Sequence, residues 1–340
     1  MSRPRPLWCP PMREGVSPSR VAMASGHGTT VLDFLHGRLP RVDDWAARLA
    51  RGDVLDAEGR PVRADERCRP GQVLWYWRAV PAEPPLPGEL RILAQDAHLL
   101  AVDKPHFMSV APGGRHLQQT VVVQLKRRTG IETLSPMHRL DRETAGVMLV
   151  IVAAEVRDAY HGLLRTPGRV HKTYEAVAPW RPELDGRTLA HRLEEVPSAT
   201  CSMQMRAVDG EPNAWTEVSV LRRLGPLPAA DRAHWGAAVA AAAGGDAGAE
   251  LAHYRLHPIT GRKHQLRAQM AAMGAPLIGD RIYPVLWPED TPETAADFRC
   301  PLQLMAREIR FDDPVDGRPR HYRSGHALVL ADAPDRHPAP

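Results

Sequence analysis

The sequence predicts an α+β protein whose strands are mainly antiparallel, and three observations predict it. Val147 to Ala154 is an unbroken β-branched and aliphatic run, the pattern of a strand buried on both faces. Val170–Val177, Thr200–Val208 and Trp215–Leu221 alternate apolar and polar residues in the manner of neighbouring antiparallel strands. Thr120–Arg128, Glu155–Leu164 and Arg262–Met273 read as helices, stopped by Gly130, by Pro167 with Gly168, and by Gly274. With 340 residues, 43% of them hydrophobic, the chain can bury a sizeable core.

In chain order, residues 1–28 are rich in Pro, Arg and Ser and read as an extended arm. Residues 29–79 form a compact segment: Val31, Leu32, Phe34 and Leu35 suggest one short helix, Trp45 to Leu49 another, and glycine-punctuated strands follow around Val54, Val62 and Val73. Pro81, Pro84, Pro85 and Pro87 make residues 80–89 a stiff linker. The main body, residues 90–331, opens with strands at Arg91–Ala94 and Leu99–Val102 and the turn Asp103-Lys104-Pro105. Thr120 caps the next helix, whose last turn holds Lys126, Arg127 and Arg128. Those cations either complement the helix dipole or form a phosphate patch. Leu251–Pro258 is a further strand. Residues 224–250 are rich in Ala and Gly and read as a flexible insertion without chemistry, and residues 332–340 as a disordered tail.

The net charge of +4 suits a nucleic-acid partner without demanding one. Cys9, Cys68, Cys201 and Cys300 are scattered, which excludes a zinc-ligand spacing and makes reduced thiols the default. Prolines interrupt the basic N-terminus, so it does not resemble a signal peptide, and no apolar run approaches the ~20 residues of a spanning helix. A cytoplasmic protein is expected. Phosphate-binding Gly-rich loops, the dinucleotide fingerprint, Gly-x-Ser-x-Gly and the zinc-deaminase pattern are all missing from the sequence.

The candidate chemistry centres on Ser135 to Ala154. A charged stretch, His138-Arg139-Leu140-Asp141-Arg142-Glu143-Thr144, feeds directly into the buried strand, so any reacting group there sits on a rigid element. Asp141 lies between two arginines, whose guanidinium groups favour its anionic form. Taken alone, such a string is more often a surface turn with a salt bridge.

This stretch resembles the signature of the RluA-type pseudouridine synthases, His-Arg-Leu-Asp-Arg followed by Thr, Gly and an apolar strand, with Glu143 and Ala145 as departures. Further matches follow in the family's order. Lys172-Thr173-Tyr174 resembles its Lys-x-Tyr strand, and Thr260-Gly261-Arg262-Lys263-His264-Gln265-Leu266-Arg267 its Thr-Gly-Arg-x-His-Gln-Leu-Arg motif. Gly274 to Tyr283 resembles its Gly-x-Pro and Gly-Asp-x-x-Tyr turns, taken here as structural, with Asp280 holding backbone. Leu302 to Pro314 resembles the terminal strand, with Met305 where histidine is usual.

The resemblance implies a curved, mainly antiparallel sheet flanked by helices, with an RNA cleft across it, and isomerisation of uridine to pseudouridine. It implies Asp141 as the reacting carboxylate, as nucleophile or base; Arg267 as its partner; Tyr174 stacked on the flipped uracil; and Arg139 helping to extrude the nucleotide. His138 and Arg142 beside the aspartate join the substrate side, and Lys104, Lys126, Arg127, Arg128 and Lys172 are candidate phosphate contacts. The reaction is redox-neutral, so no cofactor is expected. The expected partner is a tRNA or rRNA stem-loop, bound by a monomer. Residues 29–79 resemble the small α-L module that often precedes this catalytic domain, either a working RNA-binding module or a degenerate one used for packing.

Two rivals stand against this reading. A non-catalytic RNA-binding descendant would be expected to lack Asp141 or Arg267, and both are present. A glycosidase needs a second carboxylate across from Asp141, and Glu143 is too near in sequence.

Overall fold

The computed structural model describes residues 8–23, 29–40, 42–78, 83–114, 116–196, 204–287 and 298–332. The expected tail beyond Asp332, the start of the arm, most of the first half of the proline linker, the beginning of the strand at Thr200, and Cys201 lie outside the described residues. Contacts divide the chain into two units, one within Met1–Glu83 and Pro112–Glu132, the other within Pro84–Ala111 and Thr133–Pro340.

The first unit holds strand β1 (Ser19–Ala22), helices α1 (Val31–Arg38) and α2 (Trp45–Ala50), strands β2 (Val54–Leu55) and β3 (Val73–Tyr76), and helix α3 (Val121–Thr129). The strands form a small sheet in the order β1-β3-β2. Part of the expected arm is therefore a sheet strand. Phe34, Leu35, Trp45, Leu49 and Leu74 make its core. Helix α3 starts on Thr120, whose hydroxyl accepts from Val123 N–H, and ends at Gly130 in the left-handed conformation (φ 71°). The expected linear boundary needs correction here, because α3 belongs with this unit: Val123 and Leu117 pack against Val16 of the arm. A proline-rich linker marks where the chain crosses, but not that it crosses back.

The second unit is an α+β body on an eleven-stranded sheet, mostly antiparallel as expected. Its strands are β4 (Arg91–Gln95), β5 (Leu99–Lys104), β6 (Ser135–Pro136), β7 (Ala145–Ile151), β8 (Val170–Pro179), β9 (Thr188–Glu195), β10 (Met205–Val208), β11 (Ala214–Gly225), β12 (Leu251–Pro258), β13 (Leu304–Asp312) and β14 (Pro319–Arg323). The order is β10-β9-β11-β12-β8-β13-β7-β5-β4, with β14 on β13 and β6 on β7. Helices α4 (Arg157–Arg165), α5 (Ala229–Ala242) and α6 (Gln265–Ala272) flank it.

Alternation along β8 sorts the layers. Ala176 and Ala178, with Tyr254 and Leu256 of β12, pack under Leu266 and Met270 of α6. Val177 turns to the other face, where Trp235, Ala238 and Val239 of α5 join Leu328 and Leu330. The expectation of a flexible insertion at 224–250 is thus overturned. Its alanines make a helix whose apolar side closes the sheet, and composition alone hid the pattern. Helix α4 covers β5 and β7 through Tyr160 and Leu163.

All seven residues of β7 are buried, as its apolar run predicts. Its pairing with β13 is parallel and short, Met305 with Ala145 and Ala306 with Gly146. Gly146 has φ of 112°, and a side chain there would overlap the Ala306 carbonyl. Only glycine lets the two strands approach at that point, directly after the charged loop.

Candidate active site

Residues 137–144 form a loop between β6 and β7. Met137 N–H donates to Leu149 O (2.9 Å) and Thr144 N–H to Asp141 O (3.1 Å). Leu149 N–H also donates to His138 Nε2 (3.3 Å), which puts that ring's proton on Nδ1. Burial pushes the His138 pKa down to about 3, so the ring is neutral. Two side chains from the preceding turn grip the same loop. Lys104 Nζ donates to Arg142 O (3.2 Å), Pro105 O (3.0 Å) and Met108 O (2.9 Å). His106 Nδ1 donates to Glu143 O (2.6 Å).

Asp141 sits at the floor of a cleft of about 730 Å³. Its Oδ2 accepts from Arg267 Nη1 (3.2 Å). Arg267, only 1% exposed, is itself clamped by Asp280, Nε to Oδ2 at 2.8 Å and Nη2 to Oδ1 at 2.6 Å. Burial works against the Arg267 charge, but the Asp280 and Asp141 carboxylates outweigh it and raise its pKa. Asp280 Oδ1 also accepts from Ile282 and Tyr283 N–H (2.8 and 3.0 Å), the backbone role expected of it. The ion pair with Arg267 was not anticipated. Neither was the setting of α6: Gln265 through Met270 are all buried, so Arg267 is not on the helix's solvent side. It lies inside, and two carboxylates meet its planar fork.

His264 stands just before α6 in the left-handed conformation (φ 50°), with Nε2 3.7 Å from Asp141 Oδ1. The Tyr283 hydroxyl accepts from Met205 N–H (2.7 Å), leaving its own proton to donate to His264 Nδ1 (3.4 Å). The His264 ring proton is then on Nε2, facing the aspartate. Gln265 fixes the loop before it: Oε1 accepts from Thr260 Oγ1 (2.8 Å) and Arg262 N–H (3.0 Å), and Nε2 donates to Trp215 O and Thr216 Oγ1 (both 2.9 Å). The second sequence motif is therefore a scaffold as much as a source of arginine.

Tyr174 and Lys172 project from β8 into this cleft, and Arg139 and His138 also line it. Burial, then the Asp141 charge, raises the Tyr174 pKa and keeps the phenol protonated. Burial lowers that of Lys172. Arg165, Arg262 and Lys263 add cations at the rim that the sequence reading did not single out. Sequence pattern gave no signal for Arg165 and marked Arg262 and Lys263 only as motif positions, because their charge matters only once the loops converge.

Expectations change at several of the candidate substrate contacts. Lys104 is not a phosphate contact; it is fully buried and its three ammonium protons are taken by backbone carbonyls. Arg142 is not among the cleft-lining residues and pairs with Glu143 at 2.8 Å, so the cation on Asp141 is Arg267 rather than its sequence neighbours. Arg127 Nε donates to Glu14 O (2.7 Å), and Lys126 Nζ lies 3.3 Å from Ser17 Oγ. Those two residues hold the N-terminal arm of the first unit, and Arg128 follows them on α3.

The arrangement offers one carboxylate fixed by a buried arginine, an aromatic face and a cationic rim. Such a site can hold a planar, flipped base and act at its sugar. Among the described residues no group of His, Cys, Asp and Glu could hold a metal ion, and no helix is long and apolar enough to cross a membrane.

Comparison with known proteins agrees with this chemistry. The family described as RNA pseudouridylate synthase matches residues 98–272. A Synechocystis protein described as an uncharacterized RNA pseudouridine synthase is 28% identical over 249 residues, 70% of this chain and 73% of that protein. The tRNA pseudouridine synthase C of Pectobacterium carotovorum is 32% identical over 234 residues, 68% of this chain but only 57% of that protein. A solved structure of human RNA Pseudouridylate Synthase Domain Containing 1 shares the fold, with a TM-score of 0.51 at 22% identity over 72% of this chain and 86% of that one. Matched over more than half its length, the chain belongs to the RNA pseudouridylate synthase family.

Proposed function

We propose that this chain isomerises uridine to pseudouridine in a structured RNA, with Asp141 as the reacting carboxylate. The observation that carries the proposal is the Asp141–Arg267 contact at 3.2 Å on the cleft floor, with Arg267 locked by Asp280. The isomerisation breaks the bond from uracil N1 to the ribose and remakes it through C5, with the proton lost from C5 balanced by one gained at N1; nothing is oxidised or reduced. Asp141 acts as nucleophile or as base, and either role needs the carboxylate aimed and its charge balanced, which Arg267 does. Tyr174, protonated and half-buried, supplies the face for the flipped uracil. Arg139 is exposed beside the aspartate and fills the place the nucleotide leaves. His138 and Lys172 shape the cleft wall.

The names of relatives, a tRNA synthase and a large-subunit ribosomal synthase, support a tRNA or large-subunit rRNA stem-loop as substrate. The small N-terminal unit, with its α-L-like order of elements, supports a role beside the catalytic body, and a cytoplasmic location follows from such a substrate. Mapping pseudouridines in total RNA from a strain lacking the protein against its parent tests the reading. One or a few uridines should lose the modification and regain it with the wild-type chain but not with Asp141→Asn. No difference in any RNA would favour a non-catalytic RNA binder.

A further inference from the structure

A second concave surface of about 330 Å³ adjoins the cleft, and Gly168 lines both. The strand that follows, β8, divides them. Val170, Lys172 and Tyr174 face the cleft, so His171 points to the opposite side. There the pairing register sets His171 opposite Arg310 of β13, and Arg310 opposite His321 of β14. One step along, Arg323 of β14 lies beside Glu308 on the same face. Arg169 lies at the near end and lines the surface with His171, Arg310 and His321.

All five of these basic residues are exposed, the Arg310 and His321 side chains by 57% and 49%. Glu308 is one local counter-charge, 2.9 Å from Arg310 and 3.0 Å from His321, and the exposed Asp312 also lines the surface. Arg169, His171 and Arg323 have no ion pair among the described residues. Arg320, which also lines the surface, is not part of this set. Its guanidinium is held by Asp96, Asp313 and Asp316. Neighbouring strands stand ~4.8 Å apart, so a row across three of them spans the spacing of successive phosphates on a strand rather than that of a single ion. Exposed arginines and histidines in a row, with Glu308 as the ion-pair partner of Arg310 and His321 alone, suit a backbone rather than a small anion.

We propose that Arg169, His171, Arg310, His321 and Arg323 form a phosphate track that carries an RNA strand leaving the cleft over the turn at Thr166–Gly168. The track rests on the reading of the cleft as an RNA site. It recognises backbone and not sequence, and extends the substrate contact onto the outer face of β8, β13 and β14.

The test compares two RNAs: a uridine hairpin short enough to occupy only the cleft, and the same hairpin with a single-stranded extension, added at its 5′ or its 3′ end. Binding is measured across a salt series for the wild type and for Arg169→Gln/Arg310→Gln/Arg323→Gln, with melting temperatures as a check on folding. One extension should tighten wild-type binding about tenfold, steepen the salt dependence by ~0.7 per phosphate neutralised, and lose both effects in the triple variant. Hairpin affinity and turnover on the hairpin should stay unchanged. If neither extension gains affinity, or if the variant keeps the gain, the track is overturned. If the wild type modifies none of these RNAs but still shows the extension effect, the catalytic reading fails while the track stands.

Discussion

The floor and the rim of the cleft both carry arginines, and they are built on opposite principles. On the floor, Arg267 is 1% exposed and spends its fork on two carboxylates. On the rim, Arg139, Arg165 and Arg262 are exposed on loops or at a helix end. A buried charge is held in one geometry because leaving it unpaired is expensive. An exposed charge is worth little in place but attracts phosphate from a distance, and salt weakens it. The floor should therefore govern turnover and folding, and the rim affinity.

The sharpest way to break that division is Asp141→Asn. The change is nearly isosteric, so pseudouridine formation should vanish while RNA affinity and thermal stability stay near wild type. Measurable turnover by purified Asn variant would remove Asp141 from the chemistry.

Arg267→Met should cost both activity and stability. It strands Asp280, fully buried, and Asp141 without their shared cation, a loss of about 3–5 kcal/mol for a broken buried pair. Urea denaturation alongside a turnover assay reads both. A variant as stable as the wild type would show that the floor tolerates an unpaired carboxylate.

Lys104 supplies a pH test. Burial pushes its pKa down from 10.5 to about 7, although Glu143 and Asp141 pull it up. Between those values the unfolded chain binds a proton that the folded chain does not, so this group makes stability rise with pH over that window. Below about 7 both states hold the proton and the rise is absent. The difference in unfolding free energy between wild type and Lys104→Met, followed from pH 6 to pH 10 (about the range in which lysine linkage operates), should grow in favour of the wild type. A flat difference would mean that the buried amine keeps its charge throughout.

The smallest effect belongs to the rim. Arg165→Gln with Arg262→Gln should raise KM and lower the log–log salt slope by roughly 0.7–0.9 per lost contact, with kcat at saturation little changed. A fall in kcat without a change in slope would move these residues into the positioning of the floor.

Much of this was legible in the chain. The apolar run after Gly146 announced a buried strand, and β7 is buried at every position. The alternation of Val170–Val177 sets Lys172 and Tyr174 on one face, and both line the cleft. Thr120 and Gly130 marked the ends of α3. The resemblance carried by the charged stretch before β7 picked out Asp141 and Arg267, 126 residues apart in sequence and in contact in space. Local pattern and side-chain chemistry suffice for such features because each depends on neighbours within a few residues.

What the chain order concealed is which polar groups spend their hydrogen bonds on one another. Lys104 and Arg127 look like free cations in sequence, yet one is sealed under backbone carbonyls and the other ties down Glu14. Asp280 looks like a turn residue and also anchors the arginine behind Asp141. The alanine-rich stretch looks like a loose insertion and is a helix closing one face of the sheet. Desolvation decides these cases: a lysine in water binds phosphate, whereas a lysine removed from water must satisfy every proton nearby, and only the packing of distant segments settles which it will be.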